Sequence, residues 1–171
     1  MAVTRRAIRM SKSRIETRLA ELGLVLPGPL QVPAGTRVPL AMAKVVGRRL
    51  IVSGHGPQEA DGSIAQPLGR VGEDVTPEQA VEAARKTALA MCGTIKREIG
   101  DLDSVKAWVK VFGMVNSAPD FTGQSAVING FSELIFDIFG EECGLATRSA
   151  VGMSQLPFGI PVEVEAELEL F

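Results

Sequence analysis

Val162-Glu163-Val164-Glu165-Ala166-Glu167-Leu168-Glu169-Leu170 alternates apolar and acidic residues without a break. A period of two sends successive side chains to opposite faces of a strand. The apolar set must therefore face a core, and the glutamates must share the other face. Working backward, Leu156-Pro157-Phe158-Gly159 links this strand to an earlier one, Ser149 to Met153, with Arg148 at its head. The link is expected to bring the two strands side by side and Arg148 close to Glu163. Two readings of that pair follow from its chemistry. It forms a structural ion pair, or it forms a polar pocket in which the arginine holds a ligand carboxylate and the glutamate handles a proton. Glu167 and Glu169 read as a solvated, charged face that resists edge-to-edge aggregation.

Upstream, two segments carry helical periodicity. Thr76, Pro77 and Gln79 have the pattern of an N-cap, a first-turn proline and a capping box. Val81, Ala84, Ala88, Cys92, Ile95 and Ile99 then recur on one stripe, closed by Gly100. A second long helix is predicted from about Phe121 to Phe139, ended by Gly140, with Ile128, Phe131, Ile135 and Ile138 buried. Between them, Val105 to Val115 alternates as a strand. Its simple period puts Val105, Val109 and Val111 on one face and Trp108 and Phe112 on the other. Pro39 to Val46 and Leu50 to Ser53 form a hairpin through Gly47-Arg48. A short helix starts at Ser13, which has capping-box spacing to Glu16. A proline-rich connector carrying Pro27, Pro29 and Pro33 follows it.

The order is helix, hairpin, helix, strand, helix, two strands, an α+β class. Two long helices cover one face of a single sheet. The apolar content of the other face calls for a partner subunit. The organisation expected is a disordered basic tail over 1–12, possessing Arg5, Arg6 and Arg9, and one domain over 13–171. Met10 is a candidate natural start.

Composition narrows the function. Hydrophobic residues are 46 % and charged residues 22 % of 171, with a formal net charge of -2, so the chain lacks the basic excess of a nucleic-acid binder. No apolar run is long enough to span a bilayer and no signal-peptide pattern opens the chain, which points to the cytoplasm. One histidine, His55, and two cysteines, Cys92 and Cys143, do not make a zinc site. The cysteines read as reduced, largely buried thiols. Any histidine-based relay must be built on His55.

Arg148-Ser149-Ala150-Val151, Leu156-Pro157 and Val162-Glu163-Val164-Glu165-Ala166 together resemble the closing signature of the Rid/YjgF family. Leu50-Ile51-Val52-Ser53-Gly54 is similar to that family's hairpin strand, Val105 to Val115 to its central strand, and Asn129 stands where the family has a helix asparagine. The resemblance runs from about Pro39 onward. The added N-terminal helix and Asn129-Gly130-Phe131-Ser132 resemble the branch labelled chorismate-mutase-like or endoribonuclease.

That resemblance implies a chorismate-mutase-like fold, a homotrimer around a central barrel, and a ligand cleft at each subunit interface. It implies a hydrolase acting on C=N bonds, releasing ammonia from imines or enamines derived from amino acids, with no metal or organic cofactor. Carried over, Arg148 grips the substrate carboxylate and Glu163 activates water. A backbone N–H at Gly54 assists, and Ser53 and Asn129 shape the pocket. The chain departs from the family pattern in three places. Leu40 stands where many deaminating members have a tyrosine, and the chain has no tyrosine at all. Ala150 replaces a frequent cysteine. Gly54-His55-Gly56-Pro57 replaces Gly-Gln-Ile-Pro, so His55 is either a titrating group at the cleft mouth or a plain loop residue. The alternatives are a non-catalytic trimer that senses a small carboxylate, and an endoribonuclease. The last lacks a paired histidine acid and base, a basic stripe and aromatic stacking surfaces. A mutase activity would rest on shared fold alone.

Overall fold

The computed structural model describes residues 13–32 and 34–171, so the basic tail and Pro33 lie outside the described residues. The chain runs α1 (Arg14–Glu21), β1 (Ala43–Val46), β2 (Arg49–His55), α2 (Pro77–Ile99), β3 (Val105–Asn116), α3 (Gln124–Phe139), α4 (Glu141–Gly144), β4 (Thr147–Met153) and β5 (Val162–Leu170). The five strands form one mixed sheet in the order β1-β2-β5-β3-β4. This is an α+β fold of the chorismate-mutase-like type.

Local chemistry sets the element ends. The Thr76 side chain accepts from the Gln79 N–H, and the Gln79 side chain accepts from the Thr76 N–H, completing the capping box of α2. Ser13 caps α1 by accepting from the Glu16 N–H at 3.4 Å. Val46 pairs with Arg49, so Gly47-Arg48 is a two-residue hairpin turn, with Gly47 at φ +61°. Strand β1 starts at Ala43 rather than Pro39, and α3 starts at Gln124 rather than Phe121. The short α4 is an element the periodicity did not reveal.

The acidic alternation of β5 resolves as expected. Val162, Val164, Ala166 and Leu168 are buried on the helix-covered face, and the intervening glutamates lie on the open face. Glu167 pairs with Arg49, and Glu169 pairs with Lys106 and Arg48, so both belong to a charged surface ladder. The two long helices meet at Gly130, where a Cβ would overlap the Val81 carbonyl oxygen.

Two expectations are corrected. Strands β4 and β5 are not neighbours. The chain crosses from β3 through α3 to β4, and a helical crossover delivers a parallel strand. Strand β4 therefore pairs parallel to β3 at the sheet edge, while β5 lies antiparallel on the other side of β3. The link, residues 154–161, passes over the end of β3, where Asn116 N–H donates to Pro161 O and Ser117 N–H to Met153 O. Trp108 also changes face. The β3–β5 register shifts between Val105 and Ala107 and again between Trp108 and Lys110. Each bulge breaks the period of two. Trp108 therefore turns inward beside Val105 and Val111, edge-on to Phe131 and Phe139 at 5.8 and 5.6 Å, and Val109 turns outward. Phe112 and Met114 remain half-buried on the open face.

Candidate functional site

A cavity of about 230 Å³ opens beside the ends of β2 and β5. Its polar part is made by Ser53, Gly54 and Glu163. Leu40 and Met42 from the connector form one wall, and Phe158 and Ile160 from the β4–β5 link form another. Glu163 is the cavity's one ionisable side chain.

Several hydrogen bonds hold the connector over this cavity. Gly28 N–H donates to Ala60 O and Gln31 N–H to Gly62 O, while the Gln31 side chain reaches Asp61 O at 2.8 Å. Ser53 fastens the far end. Its N–H donates to Met42 O, and its hydroxyl donates to Ala41 O at 2.8 Å. Ser53 thus positions the cavity wall, and its hydroxyl is engaged with the backbone.

Glu163 is half-buried and makes no ion pair among the described residues. Burial among apolar groups raises its pKa, and the neighbouring Glu165 carboxylate raises it further. Both effects disfavour the charged form and move a carboxyl toward the range of a general base or acid at neutral pH. Gly54 packs directly on this carboxyl. A Cβ at position 54 would overlap Glu163 Oε1, so only glycine leaves the carboxyl where it is.

Arg148 is elsewhere. It pairs with Val111 across β3 and shares the helix-covered face of the sheet. Its Nη1 donates to Asn129 Oδ1 and Ser132 Oγ, each at 3.0 Å; its Nη2 donates to Ser125 Oγ at 3.0 Å and Ser125 O at 3.3 Å. Ser125, Asn129 and Ser132 form one stripe of α3 at helical spacing. Every one of these acceptors is neutral, and Arg148 makes no ion pair among the described residues. The guanidinium is fixed in place with its charge uncompensated. Its Nε–H is not used by any of these bonds.

The structure therefore brings Leu40, Ser53, Gly54 and Glu163 together, and separately brings Arg148 and Asn129 together. It does not join the two groups within one chain. His55 joins neither. Its ring turns into the core and is 1 % exposed. Nδ1 donates to Ser53 O at 2.7 Å, because a carbonyl can only accept, which leaves Nε2 to accept from the Thr94 hydroxyl at 2.9 Å. Burial lowers its pKa; the Ser53 carbonyl opposes this and nearby Arg97 reinforces it. His55 is a satisfied core histidine, and its expected place at the cleft mouth is taken by Gly54, Gly56 and Pro57. Among the described residues no group of three or more His, Cys, Asp or Glu side chains could hold a metal ion.

Sequence reading missed Phe158, Ser125 and Ser132. Spacing from Asn129 could have found the two serines. Nothing in the sequence marks Phe158, whose backbone has φ +58°.

No family model matches the chain. It is 41 % identical over 161 residues to Protein TCP17 of Trypanosoma cruzi, covering 94 % of this chain and 97 % of that protein. Among solved structures it is similar to Atu1372 of Agrobacterium tumefaciens, a protein of unknown function, at 39 % identity and TM-score 0.80 over 91 % of each chain. A protein from Shewanella oneidensis, provisionally called an endoribonuclease, matches at 27 % identity and TM-score 0.80, over 91 % of this chain and 99 % of that one. RidA from an Antarctic Psychrobacter shares the fold at 21 % identity and TM-score 0.52, over 84 % of this chain and 94 % of its own. The closing signature, the sheet order and these relatives agree: the chain belongs to the YjgF/RidA/L-PSP family.

Proposed function

We propose that this protein hydrolyses imines or enamines derived from amino acids, in clefts formed between the subunits of a homotrimer. One observation carries the reading. Arg148 is an oriented, uncompensated cation, and Glu163 is a carboxyl held against Gly54 in an apolar cavity, yet they lie on opposite faces of one sheet. A ligand touching both must lie between two copies of the chain. Half-buried Phe112 and Met114 on the open face supply apolar surface for such an association.

Each group then has a defined task. Arginine stays charged at any working pH and matches a carboxylate through a planar fork. The imine carbon is electrophilic already. Glu163, in its carboxylate form, accepts a proton from water as the water adds to that carbon. The resulting acid protonates the nitrogen to give a carbinolamine; Glu163 then takes the carbinol O–H proton and passes it to that nitrogen as the C–N bond breaks, so ammonia and a keto acid leave. General-base assistance of this kind contributes about 10²–10⁴-fold.

Leu40 favours a second reading. It places no hydroxyl in the cavity, leaving Glu163 without a second acid or base there. On that reading the cleft binds a small carboxylate without turning it over. The endoribonuclease description of the Shewanella relative finds no support in a cavity with a single carboxyl and apolar walls.

The experiment is ammonia release from imino acids generated in place by an amino-acid oxidase. Wild type accelerates it, and Arg148→Ala and Glu163→Gln each lose the acceleration. Carboxylate binding that depends on Arg148, with no acceleration by wild type, establishes the sensor instead.

A further inference from the structure

We propose that the cavity beside Glu163 selects ligands by a bulky apolar group, with Phe158 as its principal specificity-determining residue. This deepens the hydrolase reading and rests on it for the identity of the reacting end.

Two independent segments close the cavity, and both present carbon. The connector supplies Leu30, Val38 and Leu40; the β4–β5 link supplies Phe158 and Ile160. A charged or strongly polar substituent entering here would lose its hydration with few partners beyond Glu163 and the polar atoms of Ser53 and Gly54. An apolar one gains in proportion to the area it removes from water. An apolar cavity of about 150 Å³ holds a benzene ring. The cavity here, at about 230 Å³, has room for a branched aliphatic or phenyl group with its head against Glu163.

The backbone of Phe158 is strained. Its φ of +58° and ψ of 9° lie in the left-handed region, which a bulky residue seldom enters. Gly159 beside it, at φ +70°, could take such a conformation without strain. The turn is fastened by Gly159 N–H to Leu156 O, Ile160 N–H to Pro157 O, and Gly69 N–H to Gly159 O at 2.7 Å. Core packing does not explain the arrangement, because Phe158 is 48 % exposed. The strained backbone holds an aromatic ring at the cavity instead of in the core, and strain of this kind is characteristic of ligand-binding positions.

The test compares imines of leucine and phenylalanine with those of alanine and glutamate, each generated in place. Wild type is expected to prefer the leucine and phenylalanine imines over the alanine imine by at least tenfold in kcat/KM, with the glutamate imine poorest. Phe158→Gly removes the ring while suiting the backbone, so it is expected to fold and to narrow the leucine-to-alanine ratio to about threefold or less. Leu40→Ser is expected to narrow it as well. Equal rates across the imines in wild type, or an unchanged ratio in Phe158→Gly, overturn the proposal and leave the hydrolase reading standing. Calorimetry with 4-methylpentanoate and propanoate, which cannot be hydrolysed, separates the two claims. Should no imine be turned over, tenfold tighter binding of 4-methylpentanoate that is lost in Phe158→Gly upholds the pocket while the hydrolase reading falls. Equal binding of the two acids overturns the pocket.

Discussion

Arg148 and Glu163 project from opposite faces of the sheet with β3 between them. Arg148 is level with Val111 and Ala166, whereas Glu163 is level with Met114 and Val151. Two strand spacings and three residues of offset separate their backbones by roughly 14 Å. A shared ligand thus requires the arginine of one copy and the glutamate of another.

That relationship predicts complementation. Arg148→Ala and Glu163→Gln are each inactive alone, but subunits of the two kinds mixed by refolding or co-expression recover activity. In a trimer assembled at random from equal amounts, about a quarter of the interfaces pair an intact arginine with an intact glutamate. Recovery toward a quarter of the wild-type rate is expected, read as ammonia release per mole of trimer. No recovery in demonstrably mixed trimers would falsify the inter-subunit cleft.

How much of this was legible in the sequence depends on the range of the interaction. The β5 alternation and the Thr76–Gln79 box are local, and both are found as read. The faces of β3 do not follow from its period, because a bulge is fixed by the register with the partner strand and neither bulge leaves a glycine or proline to mark it. The short link between β4 and β5 suggests that Arg148 lies near Glu163, and it does not. The helical crossover ahead of β4 had already committed that strand to the far side of β3. His55 adjoins two cavity residues in sequence, but its ring direction is decided by Thr94 on α2. For Phe158, the fold imposes a conformation that residue type argues against.

Glu163 makes folding stability depend on pH in a defined way. Burial and Glu165 raise its pKa above the ordinary 4.5, so between that value and its folded value the native state holds a proton that the unfolded chain has released. Stability therefore falls as pH rises through this window and stays lower above it. Glu163→Gln removes the penalty. Its thermal midpoint is expected above that of wild type at pH 8, with the gap narrowing as pH falls to 4.5 and below, where Glu163 becomes neutral in both states. A gap that widens toward acid pH contradicts the raised pKa.

Gly54→Ala is expected to separate folding from function. The added Cβ would collide with the Glu163 carboxyl, which is the free end of a flexible side chain and can swing aside. The backbone of Gly54 needs no left-handed conformation. Stability should change by about 0.5 kcal/mol or less in urea unfolding. Imine hydrolysis should fall by about 10²-fold, matching the loss of a positioned general base. Full activity in Gly54→Ala would show that Glu163 need not occupy the position against Gly54.

His55 carries the opposite pH signature. It is neutral in the core, with Nδ1–H on Ser53 O and Nε2 accepting from Thr94, and its pKa is lowered from 6.5. Below 6.5 the unfolded chain takes up a proton that the folded chain resists, so stability falls as pH drops from 6.5 toward the folded value. Protonation would also leave Nε2–H facing a hydroxyl that already accepts from Arg97 at 3.0 Å. In His55→Gln the acid-side decline between pH 7.5 and 5.5 should flatten, although the variant is less stable at neutral pH by about 1–3 kcal/mol for the lost buried hydrogen bonds. Urea unfolding at several pH values reads both effects. Since the ring points away from the cavity, the pH profile of imine hydrolysis should keep its shape in His55→Gln. A shifted profile would place the histidine in the chemistry after all.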